Sequence, residues 1–349
     1  MKRLALLALA VGCTGAPVRS DRAPPDLLVV VLPAGAPATP PTPIADRLAV
    51  LTDAHAVHTH PAHAMRALLT GQWPGTTSSV RPNTMQGVLG LYGYRTVGHL
   101  PDALQPADAP WLADGLESDP MAGRGCLTEQ LEAVADLHPT APDEAVFTLV
   151  VGPWCADGHA GAFAALTDLL TDKPPVRQVA VVSLTGQADD AALATADTRA
   201  ALWLSGPGLA TGAGHPGMAS VVDVMPSLLP EARAVVPSDA TGTNLRAVVQ
   251  EGDTKASVAV FQQDAQGALA IRTTRHLLRL PPTPVPLPEA VPEGSVLLTA
   301  DGQPAEGADP APLYATLRHW DQRRRATSAA DRMGDAAFRE MLRDQGYWH

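Results

Sequence analysis

Residues 26 to 32 read DLLVVVL, and after the first aspartate no polar side chain interrupts the run. A continuous apolar stretch of strand length suits a strand covered on both faces, because a half-exposed strand would alternate apolar with polar residues. Such a strand needs a layer on each side of its sheet, which restricts the chain to a small set of architectures. Phe147 to Val151 (FTLVV) and Val179 to Val182 (VAVV) repeat the pattern, with the helical spacing of Ala160 to Leu170 between them. Ile44 to Leu51 also spaces its apolar residues helically, and Val80 to Thr96 predicts a helix ending near Gly90 followed by a turn into a strand. Ala200 to Leu204 reads as a strand and Ala219 to Leu229 as a helix. Strands alternating with helices predict an α/β domain with a mostly parallel central sheet flanked by helices.

After Thr254 the pattern changes to strand-like segments at 257–261, 269–272 and 276–280, which predict a small α+β subdomain appended to the main one. The expected division is therefore 1–12 signal segment, 13–25 tether, 26–253 α/β domain and 254–349 C-terminal subdomain with terminal helices. No internal repeat is visible. With 349 residues and 46% hydrophobic content the chain can build a large core, which excludes a disordered protein. An excess of 36 acidic over 25 basic residues repels a phosphate backbone and argues against a nucleic-acid partner. The 34 prolines concentrate in connections such as Ala36 to Pro43 and Pro281 to Pro292, read as stiff surface loops or linkers.

The first residues form a targeting segment: Lys2 and Arg3, then the apolar stretch Leu4 to Val11, too short to span a bilayer. The ending Ala10-Val11-Gly12-Cys13 resembles a bacterial lipobox, in which Cys13 would be acylated and Thr14 to Pro25 would tether the folded part to a membrane. The other reading is an ordinary signal peptide whose apolar region ends in a cysteine. Either way the expected location is exported, and with the lipobox it is the bacterial cell envelope. Cys126 and Cys155 remain, and an oxidising compartment allows them to pair, but two cysteines carry no spacing signature and fit two unpaired core residues equally well.

Several short motifs in order along the chain carry a resemblance. They are Thr42-Pro43-Ile44-Ala45-Asp46-Arg47-Leu48-Ala49, Leu68-Leu69-Thr70-Gly71 followed by Gln72-Trp73-Pro74, and Gly93-Tyr94-Arg95-Thr96. Ser205 to Leu209, Val222 to Leu229, Ala270 to Leu278 and Glu340 to Tyr347 follow. Taken together the chain resembles the sulfatases of the alkaline phosphatase superfamily across nearly its whole length. That resemblance implies a sulfatase-like α/β fold, a formylglycine nucleophile made from a cysteine or serine, and a divalent cation that neutralises sulfate oxygens.

The residues expected to do that chemistry are replaced. Aligned on Thr70-Gly71, the nucleophile position holds Pro61, with His63, Ala64 and Met65 in the places of the motif's proline, serine and arginine. Arg66 stands one residue late, a rotation of about 100° on a helix. The first strand ends Leu32-Pro33 instead of in two aspartates, and Ser183-Leu184-Thr185-Gly186 lacks the later aspartate and histidine. The lysine segment is shortened to Gly98-His99-Leu100, and Gly152-Pro153-Trp154-Cys155 stands where a substrate-side histidine pair is expected. Leu32, Pro33, Leu184 and Thr185 do not form a hard-cation site. Neither Cys126 nor Cys155 is followed by the residues that direct formylglycine formation.

His55, His58, His60 and His63 lie beside the lost nucleophile. Spaced imidazoles suit zinc or another divalent transition metal, with Asp53, His99 and His159 as further partners. Against this, His55 and His58 would point to opposite faces of a strand and its edge, with His60 and His63 as solvated loop residues. Thr70 is read as a hydroxyl bonded to a helix carbonyl, Asp189-Asp190 as a solvated loop, Asp223 as structural, and Arg318 with Arg323 to Arg325 as a solvated basic face. The expectation is a catalytically inactive, sulfatase-like envelope lipoprotein that needs no cofactor. It would contact the membrane through its anchor and bind a sulfated or phosphorylated glycan or a protein. The alternative is a sulfuric- or phosphoric-ester hydrolase with a transition-metal site rebuilt on the histidines.

Overall fold

The computed structural model describes residues 24–73, 82–107, 109–117, 125–137, 145–156, 158–171, 177–185, 193, 198–209, 211–212, 214–251, 259–283 and 286–322. Cys13 with the signal and tether segment before residue 24, Asp189-Asp190, Arg323 to Arg325 and the 340–347 motif lie outside the described residues.

The elements in order are β1 (Asp26–Leu32), α1 (Thr42–Ala45), β2 (Ala49–His55), α2 (Pro61–Thr70), α3 (Met85–Leu91) and β3 (Arg95–Gly98). Then come α4 (Leu127–Leu137), β4 (Val146–Val151), α5 (His159–Thr171), β5 (Arg177–Ser183), β6 (Leu202–Ser205), β7 (Gly214–Ser220), α6 (Val224–Leu228) and α7 (Leu245–Glu251). The last described strands are β8 (Val260–Gln263), β9 (Leu269–Arg272), β10 (His276–Arg279) and β11 (Val296–Thr299). Residues 311–322 are helical. No described helix is long and apolar enough to cross a membrane.

Seven strands form the large sheet in the order β3-β4-β1-β5-β6-β2-β7. β1 pairs in parallel with both β4 and β5, and only β6 runs against its neighbours. The expected mostly parallel sheet is therefore present, and β1 lies inside it. Its residues alternate between two cores: Leu27, Val29 and Val31 in one, Leu28, Val30 and Leu32 in the other. That double burial is the physical reason for the uninterrupted apolar run.

Two expectations fail locally. Ile44 to Leu51 is not one helix: α1 stops at Ala45 and β2 starts at Ala49. Leu48, Ala49, Val50 and Leu51 are all buried, so their run marks a strand covered on both sides rather than a helix face. Ala219 to Leu229 begins as the end of β7, and the helix starts only after Ser220. There Ser220 and Asp223 form a capping box, and a short 3-10 turn over Val221–Asp223 leads into α6.

The smaller sheet, in the order β11-β10-β9-β8, is antiparallel throughout. β11 had no counterpart among the expected segments. The sheet is joined to the main domain at β8: the Gln263 N–H donates to the Val57 carbonyl (3.0 Å), the Thr59 N–H donates to the Gln263 carbonyl (3.2 Å), and Gln262 Nε2 donates to the Ala56 carbonyl (2.7 Å). Phe261 lies edge-on to Trp73 and flat against Trp320. The proline-rich stretch after Leu280 is pinned rather than free, since Leu287 is buried and Tyr314 Oη donates to the Pro288 carbonyl (2.7 Å).

Candidate functional site

In a sheet of this kind ligands gather outside the carboxyl ends of the parallel strands. There the chain forms a cavity of about 390 Å³. Leu32 and Pro33 at the end of β1, Gly152 and Pro153 after β4, and Leu184 and Thr185 after β5 line it. Pro61, the first residue of α2, closes one side, and Pro101 and Leu104 of the 3-10 turn after β3 close another. The positions at which the sulfatase resemblance requires a nucleophile and cation ligands thus share one cleft.

Its walls are held by ordinary bonds. Cys126 and Cys155 are joined by a disulfide, their Cα atoms 4.9 Å apart, which ties the start of α4 to the loop after β4. Beside it the Leu127 N–H donates to the Pro153 carbonyl (2.8 Å). At Gly152 an added Cβ would stand 2.8 Å from Gln130 Nε2 and 3.2 Å from the Leu127 nitrogen, so glycine lets α4 approach the cleft wall.

The retained Leu68-Leu69-Thr70-Gly71 serves the scaffold. Leu68 and Leu69 are fully buried, and Thr70 Oγ1 donates to the Arg66 carbonyl (2.7 Å). Gly71 ends α2 with φ of +65°, and its carbonyl accepts from the Thr241 N–H (2.8 Å). Ala64 and Met65 are buried in the core, while the Arg66 guanidinium lies over Trp111, 5.9 Å from the ring centroid.

The divalent cation implied by the resemblance does not fit this cleft. Of the twelve described lining residues, eleven are aliphatic, proline or glycine, and the twelfth is Thr185, so no carboxylate, imidazole or thiol is supplied. A hard cation requires several oxygen ligands, carboxylates chief among them.

The histidines divide into two groups. His55, 2% exposed, sits at the end of β2 between Asp53 and Thr198: Nε2 donates to Asp53 Oδ1 (2.9 Å), and Nδ1 is 3.3 Å from Thr198 Oγ1. Burial holds its pKa below the ordinary value against the opposing bond to Asp53, while that same bond lowers the Asp53 carboxyl. His58, His60 and His63 cluster separately, with ring centroids 4.6 Å (His58 to His63), 5.5 Å (His60 to His63) and 6.5 Å (His58 to His60) apart. His60 is not a loop residue but the N-cap of α2, its Nδ1 accepting from the Ala62 N–H (3.3 Å), and His63 stands in the first turn of that helix. Pro61 following a capping side chain is what starts the helix there.

His58 Nδ1 accepts from the His60 N–H (2.8 Å). Burial, with the neighbouring His63 and His60, pushes its pKa down to about 3, so the ring is neutral. In a neutral ring whose Nδ1 accepts, Nε2 carries the proton. A metal-ligating histidine has the reverse arrangement, donating its second nitrogen to an acceptor and leaving the first a lone pair. Among the described residues no group of three or more His, Cys, Asp or Glu side chains is arranged to hold a metal ion. His159 packs on Trp154 (4.4 Å between centroids), and His99 is exposed after β3.

Asp223 is wholly buried and accepts from the Thr243 N–H (2.6 Å) and the Ser220 N–H (2.8 Å). Burial raises its pKa to about 6 against those bonds. Arg318 pairs with Glu289 at 3.6 Å. The residues that sequence reasoning missed are Ala34, Pro101 and Leu104, whose one sequence signal is a proline soon after a predicted strand.

No protein-family model matches the chain, and comparison with curated proteins gives no match. Solved structures share its fold. A 2-O GAG sulfatase aligns with a TM-score of 0.60 at 12% identity, over 89% of this chain and 94% of that one. A phosphonate monoester hydrolase from Silicibacter pomeroyi aligns at 0.59 and 11%, over 92% and 96%. The lipoteichoic acid synthase LtaP from Listeria monocytogenes aligns at 0.58 and 11%, over 87% and 92%. The chain has a sulfatase-like α/β fold, shared with these sulfatase and phosphonate monoester hydrolase structures.

Proposed function

We propose that this chain is a catalytically inactive member of that fold, exported to the cell envelope, held there by an acylated Cys13, and acting by binding. The observation that carries the reading is the chemistry of the cleft. The place where this fold resembles a sulfatase site offers one hydroxyl and otherwise only apolar and proline side chains among its described residues. Ester hydrolysis by this fold needs an activated nucleophile and fixed positive charge for the developing anion. The disulfide between Cys126 and Cys155 supports export, because such bonds persist in oxidising compartments. A glycan or a protein is the expected class of partner.

The close packing of the His58, His60 and His63 rings favours a second reading, a hydrolase with a transition metal on that cluster. Elemental analysis of the purified protein, run beside hydrolysis assays with aryl sulfate and aryl phosphate esters, separates the two. No stoichiometric metal and no turnover is the expected result. Bound zinc with turnover that His60→Ala or His63→Ala abolishes would overturn it.

A further inference from the structure

We propose that the cleft at the carboxyl ends of β1, β4 and β5 binds a neutral ligand with an apolar body, rather than an anionic ester. This rests on the non-catalytic reading above and names the ligand class of the same site.

Three features of the lining carry the inference. The first is that its side chains bring no charge of either sign among the described residues. The second concerns donors: Pro33, Pro61, Pro101 and Pro153 all face the cavity and have no backbone N–H, so four positions that could donate to an anion cannot. The third concerns acceptors, four of which are already engaged. The Pro33 carbonyl accepts from the Ala36 N–H (3.3 Å) and the Pro101 carbonyl from the Leu104 N–H (2.8 Å). The Pro153 carbonyl accepts from the Leu127 N–H, and the Ala34 carbonyl from Trp154 Nε1 (3.3 Å).

The ring and methylene faces of these residues make up most of what a ligand would meet, beside backbone polar groups and the Thr185 hydroxyl. An anion entering would lose its hydration and find no cationic side chain among the described lining residues, which is unfavourable. An apolar body loses only ordered water, which is favourable. The volume of about 390 Å³ lies within the range of small-molecule pockets, roughly 300–1,000 Å³.

The test uses the full chain carrying Cys13→Ser, which takes no acyl chain, and the neutral dye Nile red. The expected result is one saturable site with blue-shifted emission. Leu104→Asp places a charge in the cleft and Ala34→Trp fills it, and each should weaken binding at least tenfold with the melting temperature preserved. Leu104 is partly exposed on its short turn but packs against the main core, whereas Ala34 is exposed, so Ala34→Trp carries the test if Leu104→Asp fails to fold. Millimolar sodium sulfate should not displace the dye. Absence of a saturable site, affinity unchanged in both folded variants, or displacement by sulfate would overturn the proposal. Turnover of an aryl sulfate would instead overturn the non-catalytic reading, so the two failures are distinguishable.

Discussion

His58→Asn gives a sharp test of how burial controls charge beside α2. His58 is 6% exposed, and its pKa falls from an ordinary 6.5 to about 3 in the folded chain. The native state therefore binds fewer protons than the unfolded state at every pH between those values. Stability from this group is present in full above pH 6.5 and is lost as the pH falls towards 3. From pH 7 to pH 5 the loss amounts to about 2 kcal/mol, since each pH unit below the unfolded pKa is worth roughly 1.4 kcal/mol.

Asparagine is the informative replacement. Its Oδ1 occupies the place of Nδ1 and can accept from the His60 N–H in an Asx turn, so the backbone bond survives while the titration disappears. The smaller side chain costs packing energy, but that cost is the same at both pH values. Urea denaturation of parent and variant at pH 7 and pH 5 isolates the charge effect as a difference of differences. The parent should lose about 2 kcal/mol more than the variant on acidification. Equal losses would refute the reasoning, because they would mean that the buried ring is protonated as easily as a free one.

Asp223 has the opposite sign: its carboxyl is raised to about 6, so its contribution to stability falls as pH rises from about 4 to 6. Asp223→Asn should flatten that slope by about 3 kcal/mol, as followed by urea denaturation across the same range. Replacing Cys126 and Cys155 by serine opens a loop with a sequence separation of 29 and should cost about 3.5 kcal/mol of unfolding free energy, measured against the oxidised parent. Gly71→Ala forces a side chain into a backbone with φ of +65° and 3.2 Å from the Ala240 Cβ, so a thermal melt should show a loss of about 1–2 kcal/mol.

What the sequence reveals and what it conceals here follow from the range of the forces involved. β1 is legible because burial on both faces writes itself into consecutive residues, and Leu269–Arg272 is legible as β9 for a similar reason. The junction of α1 with β2 is not, because a one-turn helix and a buried strand abut without a glycine or proline between them. The helix expected from Ala219 hides a strand end, since Met218, Ala219, Val221 and Val222 are all buried and their periodicity carries no direction. The replaced positions Leu32, Pro33, Pro61, Leu184 and Thr185 can be found by linear comparison with the sulfatase motifs. Their convergence with Pro101 and Leu104 is a tertiary fact that no local pattern encodes. The pairing of Cys126 with Cys155 depends likewise on α4 meeting the loop after β4.

β1 also sets the first described residues and the opening of the cleft at opposite ends of the sheet. It begins beside Pro25, whose carbonyl accepts from Tyr94 Oη (2.8 Å), while Asp26 Oδ1 accepts from the Val146 N–H (2.9 Å), and it ends at the mouth of the cleft. Seven residues of strand separate these ends by about 20 Å across the body of the sheet. A ligand therefore enters at the end of the sheet away from Pro25.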